Sequence, residues 1–276
     1  LSTTSIAQDI FLIGLSSIEI FPEQALDEEL LFSVLKDRKS AKLLSKQDKL
    51  ALICATRAFK QSLVSDRDPQ YSERTGIYFT SGILPFEDAP LDKLAQNSQI
   101  DHQFDPVAFS TTGFESMNPL LTFKCLPNMP LFHISMNLGI RGPYMMSYPG
   151  ISEFFMTLEK ALRDLSLKKI KYALVGATSD QNNFLVKNFK ERIKDDGVAF
   201  DSGVCMVLTT DQVSTALGKL ENFSPPQRRR DNRQYAPPTL PLISLAKQFM
   251  ANQEEYSFSW DDDNNKCLCF STRGFK

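Results

Sequence analysis

Between positions 132 and 208 the chain alternates short apolar runs with one long amphipathic segment, and few folds accommodate that order. Residues 132–138 read as a strand, followed by a turn at Gly139-Ile140-Arg141-Gly142-Pro143. Positions 151–167 then carry Ile151, Phe154, Phe155, Leu158, Leu162 and Leu165 at helical spacing, closed by Lys168-Lys169 at the negative end of the helix dipole. Residues 172–176 and 203–208 are apolar throughout, without the polar alternation of a strand that faces water on one side. They read as buried strands, and strand, helix and strand in alternation imply an α/β sheet with helices packed on it.

The flanks extend the same order. Residues 8–15 read as an opening strand that ends near a glycine. From Ser45 a helix is predicted, with Leu52, Ala55, Phe59 and Leu63 on one stripe and Ser45 or Asp48 as N-cap. Residues 76–80 are a short strand, and 85–112 a polar excursion over the surface. Beyond about residue 211 the character changes. Positions 222–241 hold five of the fifteen prolines together with Arg228-Arg229-Arg230, which suits an irregular crossing segment. A helix over 242–250 and a hairpin complete the pattern, with Tyr256, Phe258 and Trp260 on one arm, Leu268 and Phe270 on the other, and the turn at 261–265. The chain reads as a single domain over 1–276, divided into an 8–210 portion and a 211–276 portion.

Composition removes several classes of function. A net charge of −2 argues against general nucleic-acid binding. No apolar run approaches the ~18 residues of a membrane span, and the first residues lack the pattern of a signal peptide. Five cysteines (54, 125, 205, 267 and 269) form no Cys-x-x-Cys pair and suit reduced thiols, so a cytoplasmic location is expected. No cofactor is expected. Only two histidines, His102 and His133, are present, which limits acid–base chemistry.

An ordered series of motifs then narrows the reading. Glu73-Arg74-Thr75-Gly76-Ile77-Tyr78 is followed by Asn118-Pro119-Leu120-Leu121, Leu126-Pro127-Asn128-Met129-Pro130 and His133-Ile134-Ser135. Next come Leu138 to Pro143, Ala161-Leu162-Arg163, Ala173-Leu174-Val175-Gly176-Ala177-Thr178, and the 197–208 segment. Over residues 8–210 this series resembles the N-terminal half of β-ketoacyl synthases of the thiolase fold. The resemblance implies a thiolase-like layered α/β fold with a reduced C-terminal half. It also places the family's nucleophilic cysteine at Ile151, within Tyr148-Pro149-Gly150-Ile151-Ser152-Glu153-Phe154. An isoleucine side chain cannot attack a thioester. The family's two catalytic histidines belong to the second half, and no histidine follows His133. A chain of this kind resembles a chain length factor, the inactive partner of a type II polyketide ketosynthase. The resemblance implies a heterodimer with a catalytic ketosynthase subunit, indirect or weak contact with an acyl carrier protein, and, in this short form, an aryl-polyene system.

The resemblance also implies that Met117, Leu120, Leu121 and Phe123 lie beside the dimer axis at the end of an acyl tunnel, although such residues equally suit core packing. Met145 and Met146 lead to the lost nucleophile, where thioethers suit either an acyl chain or a core gap. Ser152 is the candidate substitute nucleophile of a divergent acyltransferase or hydrolase; the alternative is a satisfied hydroxyl at a helix start. A purely scaffolding subunit is a further alternative. Arg228, Arg229 and Arg230 are a candidate contact for an acidic carrier protein, or a solvated loop. His133 reads as a core histidine. His102 with Asp101 and Asp105 lacks a second ligand of the right type and reads as a loop. Asp261, Asp263 and Asn265 begin a calcium-loop spacing, but Lys266 replaces the required glycine, so a hairpin turn is expected and no metal.

Overall fold

The structure is a computed structural model that describes residues 9–84, 88–193, 199–224, 237–251, 257–262 and 265–271. β1 (Phe11–Ile20) leads into α1 (Glu28–Val34), a 3₁₀ helix over Arg38–Leu43, and α2 (Lys46–Ser62). Single turns α3 (Val64–Arg67) and α4 (Tyr71–Arg74) precede β2 (Thr75–Ser81). The surface excursion holds α5 (Asp88–Asn97), a miniature hairpin of β3 (Gln99–Ile100) and β4 (Gln103–Phe104), and α6 (Pro106–Ala108). α7 (Leu121–Lys124), α8 (Met129–Leu138), β5 (Tyr144–Ser147), α9 (Ile151–Ser166), β6 (Tyr172–Ser179), α10 (Phe184–Ile193) and β7 (Asp201–Thr209) follow. β8 (Gly218–Phe223), α11 (Leu240–Ala251), β9 (Ser257–Asp262) and β10 (Asn265–Ser271) end the chain.

One eight-stranded sheet runs in the order β5-β2-β6-β7-β1-β8-β10-β9. β5, β2 and β6 are mutually parallel, whereas every other neighbouring pair is antiparallel. Adjacent side chains on a strand point to opposite faces. Ala173, Val175 and Ala177 accordingly join one core with α9 and α11, while Tyr172 and Leu174 join a second with α2 and α8. Both faces are covered, as the unbroken apolar runs require. An extra residue bulges β1 between Leu12 and Gly14, which returns Leu15 to the same face as Leu12. At Gly14 a Cβ would sit 2.1 Å from the Ala58 carbonyl oxygen, so any side chain there would lift α2 off the sheet.

The predicted helix at 151–167 is α9. Its Phe154, Phe155, Leu158 and Leu165 are fully buried, each stabilising the fold by roughly 1.5–3 kcal/mol through apolar burial. α2 begins with a capping box in which the Ser45 side chain accepts from Asp48 N and Asp48 accepts from Ser45 N. Ser45 is therefore the N-cap and Asp48 the third helical residue.

Three expectations need correction. Residues 132–138 belong to helix α8, not to a strand. Their apolar and polar residues alternate at period two, but Phe132 and Met136, four apart, are the exposed pair, while Leu131, Ile134 and Asn137 are buried. Pro130 in the first turn and Gly139 in the left-handed region at the C-cap (φ 69°) delimit a helix. The 85–112 excursion is also more structured than its composition suggests. Asp101 and His102 both have positive φ (50° and 59°), the two-residue turn that joins β3 to β4. Finally, strand β8 was not expected after residue 211. It pairs with β1 through Phe11 and Leu12, so the C-terminal hairpin extends the same sheet.

Candidate functional site

The parallel strands β5, β2 and β6 end together, and their carboxyl ends carry the densest set of buried polar groups. β5 ends at Ser147, a cis peptide joins Tyr148 to Pro149, and α9 starts at Ile151 after Gly150 in extended conformation. Ile151 is thus the first residue of a helix that follows a parallel strand. It is half-buried and packs against the α9/α11 core.

At the end of β5 three buried hydroxyls meet. Ser147 Oγ lies 2.8 Å from Thr80 Oγ1 and 2.5 Å from Thr157 Oγ1, and the Glu153 carbonyl accepts from Ser147 and Thr157 at 3.0 and 2.9 Å. The trio ties β2, β5 and the opening turns of α9 together. Among the described residues, no carboxylate or imidazole side chain bonds to any of the three. Ser152 is half-buried and does not cap α9, which has no side-chain cap at all. The helix-start role expected for its hydroxyl is therefore not observed. A serine becomes a nucleophile when an adjacent base takes its proton. The structure gives Ser152 no such hydrogen bond among the described residues.

A second cluster lies at the same edge. Lys46 Nζ bridges Asp180 at 3.3 Å and Asp201 at 3.0 Å, and both carboxylates are buried. Burial, then the neighbouring Asp201 charge, pushes the Asp180 carboxyl above the ordinary range. Burial also disfavours ionisation of Asp201, but the hydrogen bond and charge of Lys46 outweigh it and hold that carboxyl down. Asp201 further accepts from the backbone of Gln181 at 2.9 Å and Asn182 at 3.1 Å. Gln47 accepts from Gly82 N and Thr178 Oγ1 and donates to the Ile83 carbonyl. The first turn of α2 is thereby pinned to the ends of β2, β6 and β7.

The structure separates the other predicted residues. Leu121 is buried, Met117 and Leu120 are half-buried, and Phe123 is exposed. Met145 packs with the α9/α11 core and Met146 with the α2/α8 core, on opposite faces of β5. Arg228, Arg229 and Arg230 lie outside the described residues, as does Asp263. The hairpin expected at 261–265 is present, with Asp262 opposite Asn265 and Asp261 opposite Lys266. His133 is buried, its Nε2 has no hydrogen-bond partner, and burial lowers its pKa. Asp105 caps α6 by accepting from Ala108 N, and no metal-binding group of His, Cys, Asp or Glu occurs among the described residues. Cys54 and Cys205 are buried in the α2-side core, and burial pushes the Cys54 thiol up to about 12, which makes it inert. No helix among the described residues is long and apolar enough to cross a membrane.

Neither the hydroxyl trio nor the Lys46 cluster was anticipated. Strand-end residues such as Asp180 and Asp201 offered a signal, but Lys46 stands 134 and 155 positions away from them.

The sequence matches no protein-family model and no curated protein. Its fold does have solved counterparts. One is a type II PKS acyl-carrier protein in complex with its ketosynthase bound to the hexaketide, with 15% identity, TM-score 0.60, and coverage of 79% of this chain and 68% of that one. The ishigamide ketosynthase/chain length factor matches with 12% identity, TM-score 0.51, and coverage of 77% and 65%. The ketosynthase ApeO in complex with its chain length factor ApeC, from Xenorhabdus doucetiae, matches with 15% identity, TM-score 0.50, and coverage of 95% and 99%. The chain therefore spans about two thirds of the first two and nearly all of the third. It has a thiolase-like ketosynthase fold, whose solved counterparts include both ketosynthases and ketosynthase/chain length factor complexes.

Proposed function

We propose that the chain is a non-catalytic chain length factor that pairs with a catalytic ketosynthase and shapes the closed end of its acyl tunnel, in an aryl-polyene type of polyketide synthesis. The observation that carries this reading is Ile151, which occupies the first helical position after β5, where the resemblance places a nucleophilic thiol. A helix start after a parallel strand favours a thiolate, and the isoleucine forfeits that advantage. A chain from a ketosynthase–chain length factor complex shares the fold over 99% of its length, which supports a role in such a complex.

A partner is supported by the edge of the sheet. Among the described residues β5 is the terminal strand of the sheet, with one side of its backbone unpaired there. Tyr144 on that strand is 73% exposed, and Met136 on neighbouring α8 is 64% exposed. An unpaired edge beside exposed apolar side chains is a surface that a second sheet edge can cover.

Co-expression with a ketosynthase tests this. A stable 1:1 complex that Tyr144→Glu weakens, with Phe123→Ala altering product length, is the expected outcome. A chain that stays monomeric beside the synthase would remove the proposal. Phe123→Ala is the better probe of the tunnel because it is exposed, whereas Leu121→Ala would cost roughly 2–5 kcal/mol of fold stability.

A further inference from the structure

We propose that α10 is a hinged flap whose catch is the Lys46, Asp180 and Asp201 cluster, and that this catch tightens on mild acidification and loosens as pH rises. α10 spans ten residues, yet Val186 is its only buried side chain among the described residues, whereas α9 buries eight over sixteen. Phe184 and Phe189 are half-buried, and Leu185 is exposed. Elements with little buried apolar surface open locally at low cost. The polar contacts at the start of α10 therefore decide how often it swings outward.

Those contacts converge on residues 180–183, between the end of β6 and the first turn of the helix. Asn183 accepts from Val186 N at 3.0 Å and donates to the Asp180 carbonyl at 2.7 Å. Asp201, at the start of β7, holds the same turn by accepting from Gln181 N and Asn182 N. The Asp180 carboxylate accepts from Asn182 N at 3.2 Å and from Lys46 at 3.3 Å, which ties the turn to the start of α2. α10 leaves the same sheet edge as Ile151, two strands away from β5, so its opening reshapes the surface beside that position.

The cluster holds one negative charge too many. Lys46 is a single ammonium, itself 42% exposed, that serves two buried carboxylates. Asp180 faces Lys46 from α2 and Asp201 from β7, while Gln181, Asn182 and Asn183 of its own turn are neutral amides. Asp48, also on α2, is turned to Ser45 instead. With both carboxylates ionised, two like charges repel at close range in a buried setting. One proton removes the repulsion, because Asp180 then donates its O–H to Asp201, which stays ionised against Lys46. Burial and the Asp201 charge accordingly lift the Asp180 carboxyl from 3.8 to about 6. A group raised in this way contributes fully below 3.8 and ceases to contribute as pH climbs through 6, so the closed flap weakens with rising pH. If opening exposes Asp180 to water, the opening equilibrium grows about tenfold between pH 5 and pH 8.

Hydrogen–deuterium exchange of the full chain at pH 5 and pH 8 tests this, with each rate divided by the intrinsic chemical rate at that pH. Peptides over 183–193 report the flap, and peptides over 151–166 report the core helix α9. The flap should be less protected than α9 at both pH values, and its protection should fall about tenfold from pH 5 to pH 8. Asp180→Asn keeps a donor for Asp201 but has no proton to lose, so its flap protection should stay level across the range. Asp201→Asn removes the repelling charge and should shrink the fall. A cluster with a merely structural role would change protection equally at both pH values in these variants. Wild-type flap protection that does not fall toward pH 8 overturns the inference, as does a fall that persists in full in Asp180→Asn or Asp201→Asn. Equal protection of 183–193 and 151–166 overturns it too, since α10 would then open only with the whole fold.

Discussion

Replacing Asp48 by Asn should make the protein more stable above neutral pH and remove a pH dependence of known sign. Asp48 is fully buried at the third position of α2, and its Oδ1 has no hydrogen-bond partner. Burial, only partly offset by hydrogen bonds with Ser45 and by the charge of Lys124, pushes its carboxyl from 3.8 up to about 7. The folded pKa exceeds the unfolded one, so the contribution of this group is fully present below about pH 4 and lost as pH rises through 7. A separation of about three units is worth about 4 kcal/mol at pH 8, and between pH 5 and pH 8 the change is about 3 kcal/mol. Asn keeps an oxygen for Ser45 N, but buries an amide N–H₂ that costs about 1–3 kcal/mol if unpaired. Urea unfolding followed by circular dichroism at both pH values isolates the charge effect, because the amide cost is common to both. The stability difference, variant minus wild type, should rise by about 3 kcal/mol from pH 5 to pH 8. A difference that stays flat, or falls, would show that the carboxyl is not held neutral and that the burial reasoning is wrong.

Three further outcomes are expected. Burial lowers the His133 pKa below 6.5, so the unfolded chain takes up protons first and stability declines as pH falls below about 6.5; His133→Gln should flatten that acid limb in pH-dependent unfolding. Ser147→Ala removes the central hydroxyl of the trio and leaves Thr80 and Thr157 in contact at 3.4 Å; urea midpoints should report a loss of about 1–3 kcal/mol, and an unchanged midpoint would mean that the trio does not stabilise α9. Ile151→Cys should yield a thiol that iodoacetamide modifies faster than buried Cys54, yet no decarboxylative condensation by the chain alone. Condensation by that single variant would contradict the non-catalytic reading.

Periodicity carried the α/β class because strands covered on both faces leave an unmistakable mark: 172–176 and 203–208 have no polar side to mistake for solvent. α9 was equally legible, since a stripe of large apolar residues over sixteen positions fits only one period. The segment 132–138 was not. Seven residues are too few to separate period two from period 3.6 when phenylalanine and methionine sit on the exposed face, and that exposed pair is itself the mark of an unpartnered surface. The polar groups at the sheet edge were illegible for another reason. Lys46, Asp180 and Asp201 are each ordinary in their local sequence, and only strand register brings them together.

The amino-acid order alone thus determines the alternation of strands and helices and the isoleucine at the start of α9, because both are local and depend on side-chain chemistry within a turn or two. Tertiary structure decided what lies far apart in the chain. It turned 132–138 into a helix by giving Leu131 and Ile134 a core to face, and it joined the C-terminal hairpin to β1 through β8. Those outcomes depend on which surfaces meet, and packing many residues at once settles that where no short stretch can.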